Sequence, residues 1–198
     1  MSTDSVNNGK RRFLVASTSV VGAIGVGFVA VPFLASWMPS ERAKNAGAPI
    51  EADVSRLEEG RMMTVEWQSK PVWIVRRSEK TLANLETNAD QLRDPASENI
   101  DQQPEYAQNM YRSIKPEFLV LVGICTHLGC SPTFRPDIAP ADLGEDWQGG
   151  FFCPCHSSKF DLAGRVFQGV PAPTNLVVPP HYYVTDTTII VGKEGGNA

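Results

Sequence analysis

The sequence has few of the residues that most often bind metals, with 4 cysteines and 3 histidines among 198 residues. All four cysteines and two of the histidines nevertheless lie in one stretch, residues 125–161. The chain also lacks excess positive charge: its net charge is −4, its pI is about 5.4, and no basic stripe is interleaved with aromatic residues. This balance argues against nucleic-acid binding. Repeats and low-complexity tracts are absent, so the length predicts one domain plus extra segments.

Charged residues are missing throughout residues 13–40. Residues 13–38 are rich in Val, Ala, Gly and Phe, and they exceed the roughly 20 apolar residues that a bilayer core requires. A signal peptide usually has a shorter apolar region of about 7–15 residues, and no convincing cleavage site follows this one. A helix buried in a protein core is disfavoured because the stretch has no polar face. The sequence therefore favours a retained transmembrane helix at residues 13–38.

Three basic residues precede this apolar stretch, namely Lys10, Arg11 and Arg12. Their position predicts that the tail, residues 1–12, stays in the cytoplasm and that the following domain lies outside. Arg11 and Arg12, followed by Phe-Leu, also resemble a twin-arginine export signal, although the residue usual between the pair and Phe is missing. Residues 39–50 are small, polar and bracketed by prolines, which predicts a hinge linker or a passive spacer. The head domain is then residues 51–198.

The head has the composition of a loop-rich all-β domain, because most of the 16 glycines and 15 prolines lie in the C-terminal half. A surface helix is expected at residues 78–93 and a loop at 94–103, whereas residues 131–152 form a spacer without recognisable chemistry. His181 is expected to be structural. Runs rich in β-formers predict strands at residues 51–55, 61–68, 70–77, 118–124, 164–167, 176–178, 181–185 and 188–191.

Two short boxes of cysteine and histidine contain the potential metal ligands. Residues 125–130 read Cys-Thr-His-Leu-Gly-Cys, and residues 153–158 read Cys-Pro-Cys-His-Ser-Ser. Two loops of this kind facing each other can supply four ligands. They fit a tetrahedral zinc site, or a [2Fe–2S] cluster in which two histidines replace two cysteines on one iron. The spacing favours the cluster.

The two boxes resemble those of the Rieske iron–sulfur proteins, specifically the subunit of quinol–cytochrome c reductases (cytochrome bc complexes). The first box agrees with the family at all six positions, and the second has Ser157 where the family usually has glycine. The resemblance implies one [2Fe–2S] cluster in residues 119–175. Its implied ligands are Cys125 and Cys153 on one iron, and His127 and His156 on the other.

The resemblance further implies that Cys130 and Cys155 form a disulfide that ties the loops over the cluster, which requires an oxidising compartment. His127 and His156 would hydrogen-bond the quinol and accept its proton. Ser158 would hydrogen-bond a bridging sulfide, although a hydroxyl facing water is the alternative.

Three further residues receive roles from the resemblance. Phe160 occupies the position of a tyrosine that donates to a cluster sulfur in many respiratory relatives. Pro171 would stiffen a flap over the cluster, with an ordinary turn as the alternative. Leu128 would pack against the quinol pocket.

The implied fold is an all-β Rieske head, made of antiparallel sheets with a cluster-binding subdomain, on a single N-terminal transmembrane helix. The implied activity is that of ubiquinol–cytochrome c reductase: electron and coupled proton transfer from ubiquinol to a c-type cytochrome subunit, which contributes to the proton gradient. The implied partners are cytochrome b and the c-type cytochrome, in a dimeric complex of a bacterial inner membrane with the head in the periplasm.

Three rivals stay open at this stage. Soluble Rieske ferredoxins and oxygenase components usually lack the Cys130–Cys155 pair and the anchor. The small subunit of a periplasmic oxidoreductase such as arsenite oxidase can share the export signal and the disulfide. A zinc-binding module without redox activity is the third.

Overall fold

The computed structural model describes residues 7–40 and 47–195, which fall into two units divided after Asn45. The first six residues of the expected tail, residues 41–46 of the expected linker and the last three residues lie outside the described residues. The N-terminal unit is one helix, α1 (Asn8–Ala35), which has 28 residues and contains an 18-residue stretch with a mean hydropathy of 2.1, long and apolar enough to cross a membrane.

Helix α1 begins five residues before the expected Phe13 and ends three before the expected Met38. The side chain of Asn7 caps its first turn by accepting a hydrogen bond from the Lys10 backbone N–H at 3.1 Å. Lys and Arg are good helix formers, so the helix extends through the basic residues. The expected boundaries followed the apolar residues, whereas the helix also includes the basic residues before them.

The head consists of three antiparallel sheets, in the orders β1-β9-β8, β2-β3-β4 and β5-β6-β7. Within the described residues the strands are β1 (Ile50–Asp53), β2 (Met62–Trp67), β3 (Lys70–Arg76), β4 (Phe118–Val122), β5 (Thr133–Arg135), β6 (Gly150–Cys153), β7 (Ser158–Asp161), β8 (His181–Thr185) and β9 (Thr188–Val191). The all-β antiparallel head expected from the sequence is confirmed.

Strand β4 is buried along its whole length because both of its faces are covered. Leu119 and Leu121 pack on one side into the apolar cluster that also contains Cys125 and Cys153. Phe118, Val120 and Val122 pack on the other side with residues of β1 and β9. The continuous apolar run thus has the pattern of a strand in a middle layer, and it ends three residues before Cys125.

A short helix, α2 (Glu79–Thr87), follows β3, and the Ser78 side chain caps it by accepting from the Thr81 backbone N–H. The expectation of a helix to residue 93 is wrong in its length. The chain passes into a 3-10 turn, Ala89–Gln91. Leu92, which the apolar spacing assigned to the helix, is buried in an isolated β-bridge with Phe167.

The third sheet was not expected from the sequence. Strands β5 and β6 lie in or at the end of the spacer 131–152, and β7 follows the second box. Conversely, residues 164–167 form isolated bridges at Val166 and Phe167 only, and Leu176 and Val178 of the expected strand 176–178 are buried without strand pairing. Strands β5, β6 and β7 are short and lack a clear alternation of polar and apolar side chains, and Gly150 has low strand propensity.

Candidate metal centre

The first loop, residues 125–130, starts just beyond β4. Gly123 donates its backbone N–H to the Pro71 carbonyl at 2.8 Å, and a side chain at this position would collide with the Trp73 ring. The loop closes on itself because Cys125 donates its N–H to the Cys130 carbonyl at 2.7 Å. Gly129 supplies the positive φ of 84° that this tight turn requires.

The second loop, residues 153–158, connects β6 and β7 as a hairpin. Cys153 is the last residue of β6, and it pairs in the antiparallel register with Ser158, the first residue of β7. Ser157 has a φ of 60°, in the left-handed region. The glycine usual at this position in the family tolerates that conformation without steric cost, whereas serine does not.

A disulfide joins the two loops, with Cys130 bonded to Cys155 and 6.7 Å between their Cα atoms. The disulfide expected from the resemblance is therefore present. The sulfurs of Cys130, Cys153 and Cys155 lie within 4.8 Å of one another. This trio is not a metal site, because two of its sulfurs are bonded to each other and cannot act as thiolates.

The remaining cysteines, Cys125 and Cys153, are free and only 2% exposed each. Burial raises the pKa of the Cys125 thiol, the His127 backbone and the Ser158 hydroxyl oppose this by hydrogen bonding, and the neighbouring Cys153 thiol raises the pKa further. A buried thiol with a raised pKa, such as that of Cys125, is a poor reactive nucleophile. The two free cysteines fit metal ligation instead.

The two loop histidines face each other. The ring centroids of His127 and His156 are 4.8 Å apart, with an angle of 86° between the ring planes. His127 is half-buried and His156 is exposed. The fold thus brings together the four expected ligands, two buried thiols and two imidazoles, on two loops tied by a disulfide.

A third loop, residues 169–174, is bonded to both of the others. The Thr126 hydroxyl donates to the Thr174 carbonyl at 2.7 Å, and the Ala172 backbone N–H donates to the Ser158 hydroxyl at 3.1 Å. Together with the disulfide, these bonds link each of the three loops to the other two. We call this arrangement the loop triangle. The sequence analysis did not identify the roles of Thr126 and Thr174. The available signal for Thr126 was its position inside the first cysteine–histidine box.

Ser158 is fully buried, which excludes the alternative of a hydroxyl facing water. Its oxygen accepts from Ala172, so its own proton is still available for a sulfur acceptor. Phe160 is also fully buried, opposite Phe151 on β6. Leu128 and Pro171 are exposed, Leu128 by 72% of its surface.

Two buried thiols, two imidazoles and a buried hydroxyl donor are a suitable donor set for a [2Fe–2S] cluster. Two sulfides and two thiolates would together balance the six positive charges of two ferric irons. Neutral imidazoles would then keep the oxidised cluster neutral overall. The Ser158 hydroxyl can donate a hydrogen bond to a sulfur of the centre. The donor set alone would also fit zinc, so the comparisons with known proteins distinguish the two.

The fold and the donor set define a Rieske-type [2Fe–2S] protein. The sequence profile of the "Rieske [2Fe-2S] domain" matches residues 49–180, and the profile "Ubiquitinol-cytochrome C reductase Fe-S subunit TAT signal" matches residues 1–40. The ubiquinol-cytochrome c reductase iron-sulfur subunit of Allochromatium vinosum is 61% identical over 198 residues, which cover all of this chain and 95% of that protein. The chain belongs to the family of Rieske iron–sulfur subunits of ubiquinol–cytochrome c reductase.

A second curated relative agrees with this assignment. The ubiquinol-cytochrome c reductase iron-sulfur subunit of Blastochloris viridis is 42% identical over 193 residues, which cover 96% of this chain and 97% of that protein. A solved structure described as "Hyperthermophilic respiratory Complex III" aligns with a TM-score of 0.49 at 23% identity, over 88% of this chain and 98% of that chain. The expected cofactor is therefore confirmed as a Rieske [2Fe–2S] cluster.

The third histidine, His181, is in β8 and not at the metal centre. Its Nδ1 lies 2.9 Å from the Pro179 carbonyl, which can only accept, so Nδ1 carries the proton. The Tyr106 ring packs edge-on against the imidazole. Burial lowers the pKa of His181, and the Pro179 hydrogen bond opposes this. The expectation of a structural role fits these contacts.

The buried neutral His181 should make the head less stable in acid. As pH falls through the ordinary histidine value of about 6.5, the unfolded chain takes up a proton before the folded chain does. The free energy of unfolding should therefore fall by up to about 1.4 kcal/mol per pH unit below that value. Guanidinium unfolding in detergent at pH 7.5 and 5.5 measures this, and His181→Phe should lessen the pH dependence. Equal slopes in both proteins would contradict the prediction.

The left-handed backbone at Ser157 predicts a stabilising substitution. Ser157→Gly should raise the free energy of unfolding by about 1 kcal/mol, because glycine adopts positive φ without a Cβ clash. Ser157→Ala is the control, since it removes the hydroxyl but keeps the Cβ, and it should bring no gain. Chemical unfolding of both variants distinguishes strain from loss of the hydroxyl; equal effects would argue against strain.

The fully buried Phe160 predicts a change in reduction potential. Phe160→Tyr should raise the potential, because a phenolic hydroxyl donating to a sulfur stabilises the negative charge gained on reduction. Phe152→Tyr is a suitable control, since this neighbouring residue packs with Trp147 and Phe167 rather than with the free cysteines. A redox titration followed by electron paramagnetic resonance (EPR) measures both, and an unchanged potential in Phe160→Tyr would disprove the idea.

Proposed function

We propose that the tip of the head, formed by His127, Leu128 and His156, docks at the quinol and receives its electron and proton. The observation that supports this most directly is the pair of facing imidazoles beside a 72% exposed leucine, on the same two loops as two buried thiols. An exposed leucine is a natural contact for an apolar pocket. A buried redox centre with exposed ligands can exchange electrons while its sulfurs stay shielded from water.

The ligand set that we propose is Cys125 and Cys153 for one iron, and His127 and His156 for the other. When bound, the cluster supplies a one-electron acceptor with a reduction potential of roughly −150 to +300 mV. The imidazole ring nitrogens that do not bind iron can accept hydrogen bonds from a quinol hydroxyl and take its proton. His156, as the more exposed of the two, is the better placed for this contact.

The chain is a subunit of a cytochrome bc1-type complex, and we assign the quinol pocket to cytochrome b and the next electron acceptor to the c-type cytochrome subunit. Helix α1 would anchor the protein in a bacterial inner membrane. The basic residues Lys10, Arg11 and Arg12 favour a cytoplasmic N-terminus and a periplasmic head. Arg11 and Arg12 would also serve the twin-arginine route, which exports folded proteins. Residues 39–50 would act as the hinge between anchor and head in a dimeric complex.

The test is a low-temperature EPR spectrum of dithionite-reduced membranes, with and without a quinol-site inhibitor. We expect a rhombic signal with an average g value below 2, which shifts when the inhibitor is added. A Rieske signal that ignores the inhibitor would refute the quinol-docking role and favour another periplasmic oxidoreductase. A metal-replete protein without a signal would refute the cluster ligation.

A further inference from the structure

The head buries more positive than negative charge. Among the described residues, the buried side chains that carry a full charge are Arg77, Arg112, Arg165 and Asp161, each no more than 2% exposed. Three positive charges therefore face one negative charge in the interior. Burying a charge without a partner is costly, so this excess requires an explanation.

All four side chains meet at one turn, residues 161–165. Arg77 donates to the Leu162 carbonyl at 3.0 Å, and Arg112 donates to the carbonyls of Ala163 and Gly164, each at 3.3 Å. These two arginines come from elsewhere in the chain, Arg77 from just after β3 and Arg112 from the segment before β4. The turn is thus held by guanidinium groups from two separate segments.

Only Arg165 has a carboxylate partner in direct contact. The Asp161 carboxylate accepts from Arg165 Nε at 2.8 Å, and its other oxygen accepts from the backbone N–H groups of Ala163 and Arg165. This pair is neutral overall.

Arg77 and Arg112 form no ion pair within residues 7–40 and 47–195; their partners are carbonyls, the Ser113 hydroxyl and the Gln103 amide oxygen. Burial lowers the pKa of Arg77 to about 9 and that of Arg112 to about 10, so both keep their charge at neutral pH. The charge of the half-buried Asp94 also acts on Arg112, but Asp161 is the one fully buried carboxylate among the described residues, and it is already paired with Arg165.

This turn adjoins the metal centre. Strand β7 runs from the second loop directly into it. Leu162 and Ala163 belong to the same buried apolar cluster as Cys125 and Cys153. The turn that the arginines hold thus packs into the same apolar cluster as the thiols, and charges interact more strongly in such surroundings than in water. A cluster that is neutral when oxidised gains one negative charge on reduction.

We propose that Arg77 and Arg112 set the reduction potential, because their unbalanced buried charges stabilise the reduced form of the centre and raise its potential. Their hydrogen bonds also position the turn after β7, but the charge is what acts on the electron. The proposal depends on the cluster assigned above and not on quinol docking. It gives a function to buried charges that would otherwise only reduce stability.

The test compares Arg112→Gln with Arg112→Lys in the full-length protein, by redox titration of the EPR signal at pH 7. Removing the charge should lower the equilibrium constant for reduction roughly tenfold, which for a one-electron couple is about 59 mV. Lysine keeps the charge but loses the planar set of donors, so it should retain most of the potential. Arg61→Gln makes the same charge change at a side chain that is 74% exposed, and should leave the potential unchanged.

Asp161→Asn is a second test, in which the reduction potential should change in the opposite direction. It removes the lone buried carboxylate but keeps an oxygen that can accept from the turn, so the potential should rise. Structural damage alone would not move the potential in opposite directions in the two variants. A glutamine variant with an intact cluster and unchanged potential would overturn the proposal, as would equal effects of glutamine and lysine. If the glutamine variant does not fold, an unchanged or lower potential in Asp161→Asn would overturn it.

These results can be separated from a failure of the proposed function. The redox titration uses chemical mediators and needs no quinol or partner subunit. An inhibitor-insensitive signal would refute quinol docking but leave the potential measurements valid. A wild-type protein without any Rieske signal would overturn both.

Discussion

His156→Ala should lose the cluster completely, and with it the rhombic EPR signal and the visible absorbance. In the ligand set proposed above, each histidine is one of two protein ligands to its iron, so the loss of either leaves that iron incompletely held. The rings of His127 and His156 face each other with 4.8 Å between their centroids. Cys130 and Cys155 cannot replace the lost ligand, because their sulfurs are bonded to each other. The same total loss is expected for His127→Ala, Cys125→Ser and Cys153→Ser.

The matched control is His181→Gln, which removes the one histidine that lies outside the loops. This variant should keep its cluster signal, because His181 hydrogen-bonds the Pro179 carbonyl and packs on Tyr106, away from both boxes. Iron and sulfide analysis should accompany the spectra, so that loss of metal is distinguished from a broadened signal. A His156→Ala protein with full iron content and an unchanged spectrum would refute the ligand assignment.

Removal of the disulfide has the next largest expected effect. The double variant Cys130→Ala/Cys155→Ala should lower the free energy of unfolding by about 3 kcal/mol, since the bond closes a loop across 25 residues of sequence separation. It would leave the second and third loops joined by the Ser158–Ala172 hydrogen bond and the first and third by Thr126–Thr174. Of the three links in the loop triangle, the covalent one between the first and second loops would then be lost.

Chemical unfolding with and without a reducing agent provides the measurement. Wild-type protein should lose about the same stability on reduction as it does on mutation, whereas the double variant should not respond to the reductant. The single variants should behave like the double variant, apart from one free thiol. A change below about 1 kcal/mol would indicate that the two hydrogen bonds alone hold the loops together.

The parts of this protein that could be predicted from the sequence are those governed by local pattern. The apolar run 118–122 predicts a buried strand because five adjacent apolar residues with no polar face need cover on both sides. The boxes predict a metal centre because cysteine and histidine at such spacing have few other uses. The structure places their side chains together as expected.

The third sheet and the loop triangle depend on contacts between distant segments, which local pattern does not reveal. Strand β5 has three residues, and β6 begins with a glycine that packs against the Phe160 carbonyl, where a side chain would collide. The helix prediction failed at Leu92 for the same reason. Its spacing fits a helix face, but its burial comes from pairing with Phe167, 75 positions later.

The burial of the arginines was equally difficult to predict from the sequence. Arg77 ends a run that predicts a strand, and an arginine at such a place is usually solvent-exposed. Its hydrogen bond to the Leu162 carbonyl spans 85 residues of sequence. The one available signal was the spacing of Asp161 and Arg165, four residues apart, and that spacing more often marks a surface helix pair.

The position of Trp73 gives this protein a built-in optical reporter. Its indole stacks on Phe151 with 5.1 Å between ring centroids, and it fills the space beside Gly123, two residues before Cys125. An iron–sulfur cluster absorbs in the range where tryptophan emits, so a bound cluster should quench this fluorophore strongly by energy transfer. Intrinsic fluorescence should therefore rise as the cluster is lost, which would allow cofactor occupancy to be followed in real time without freezing the sample.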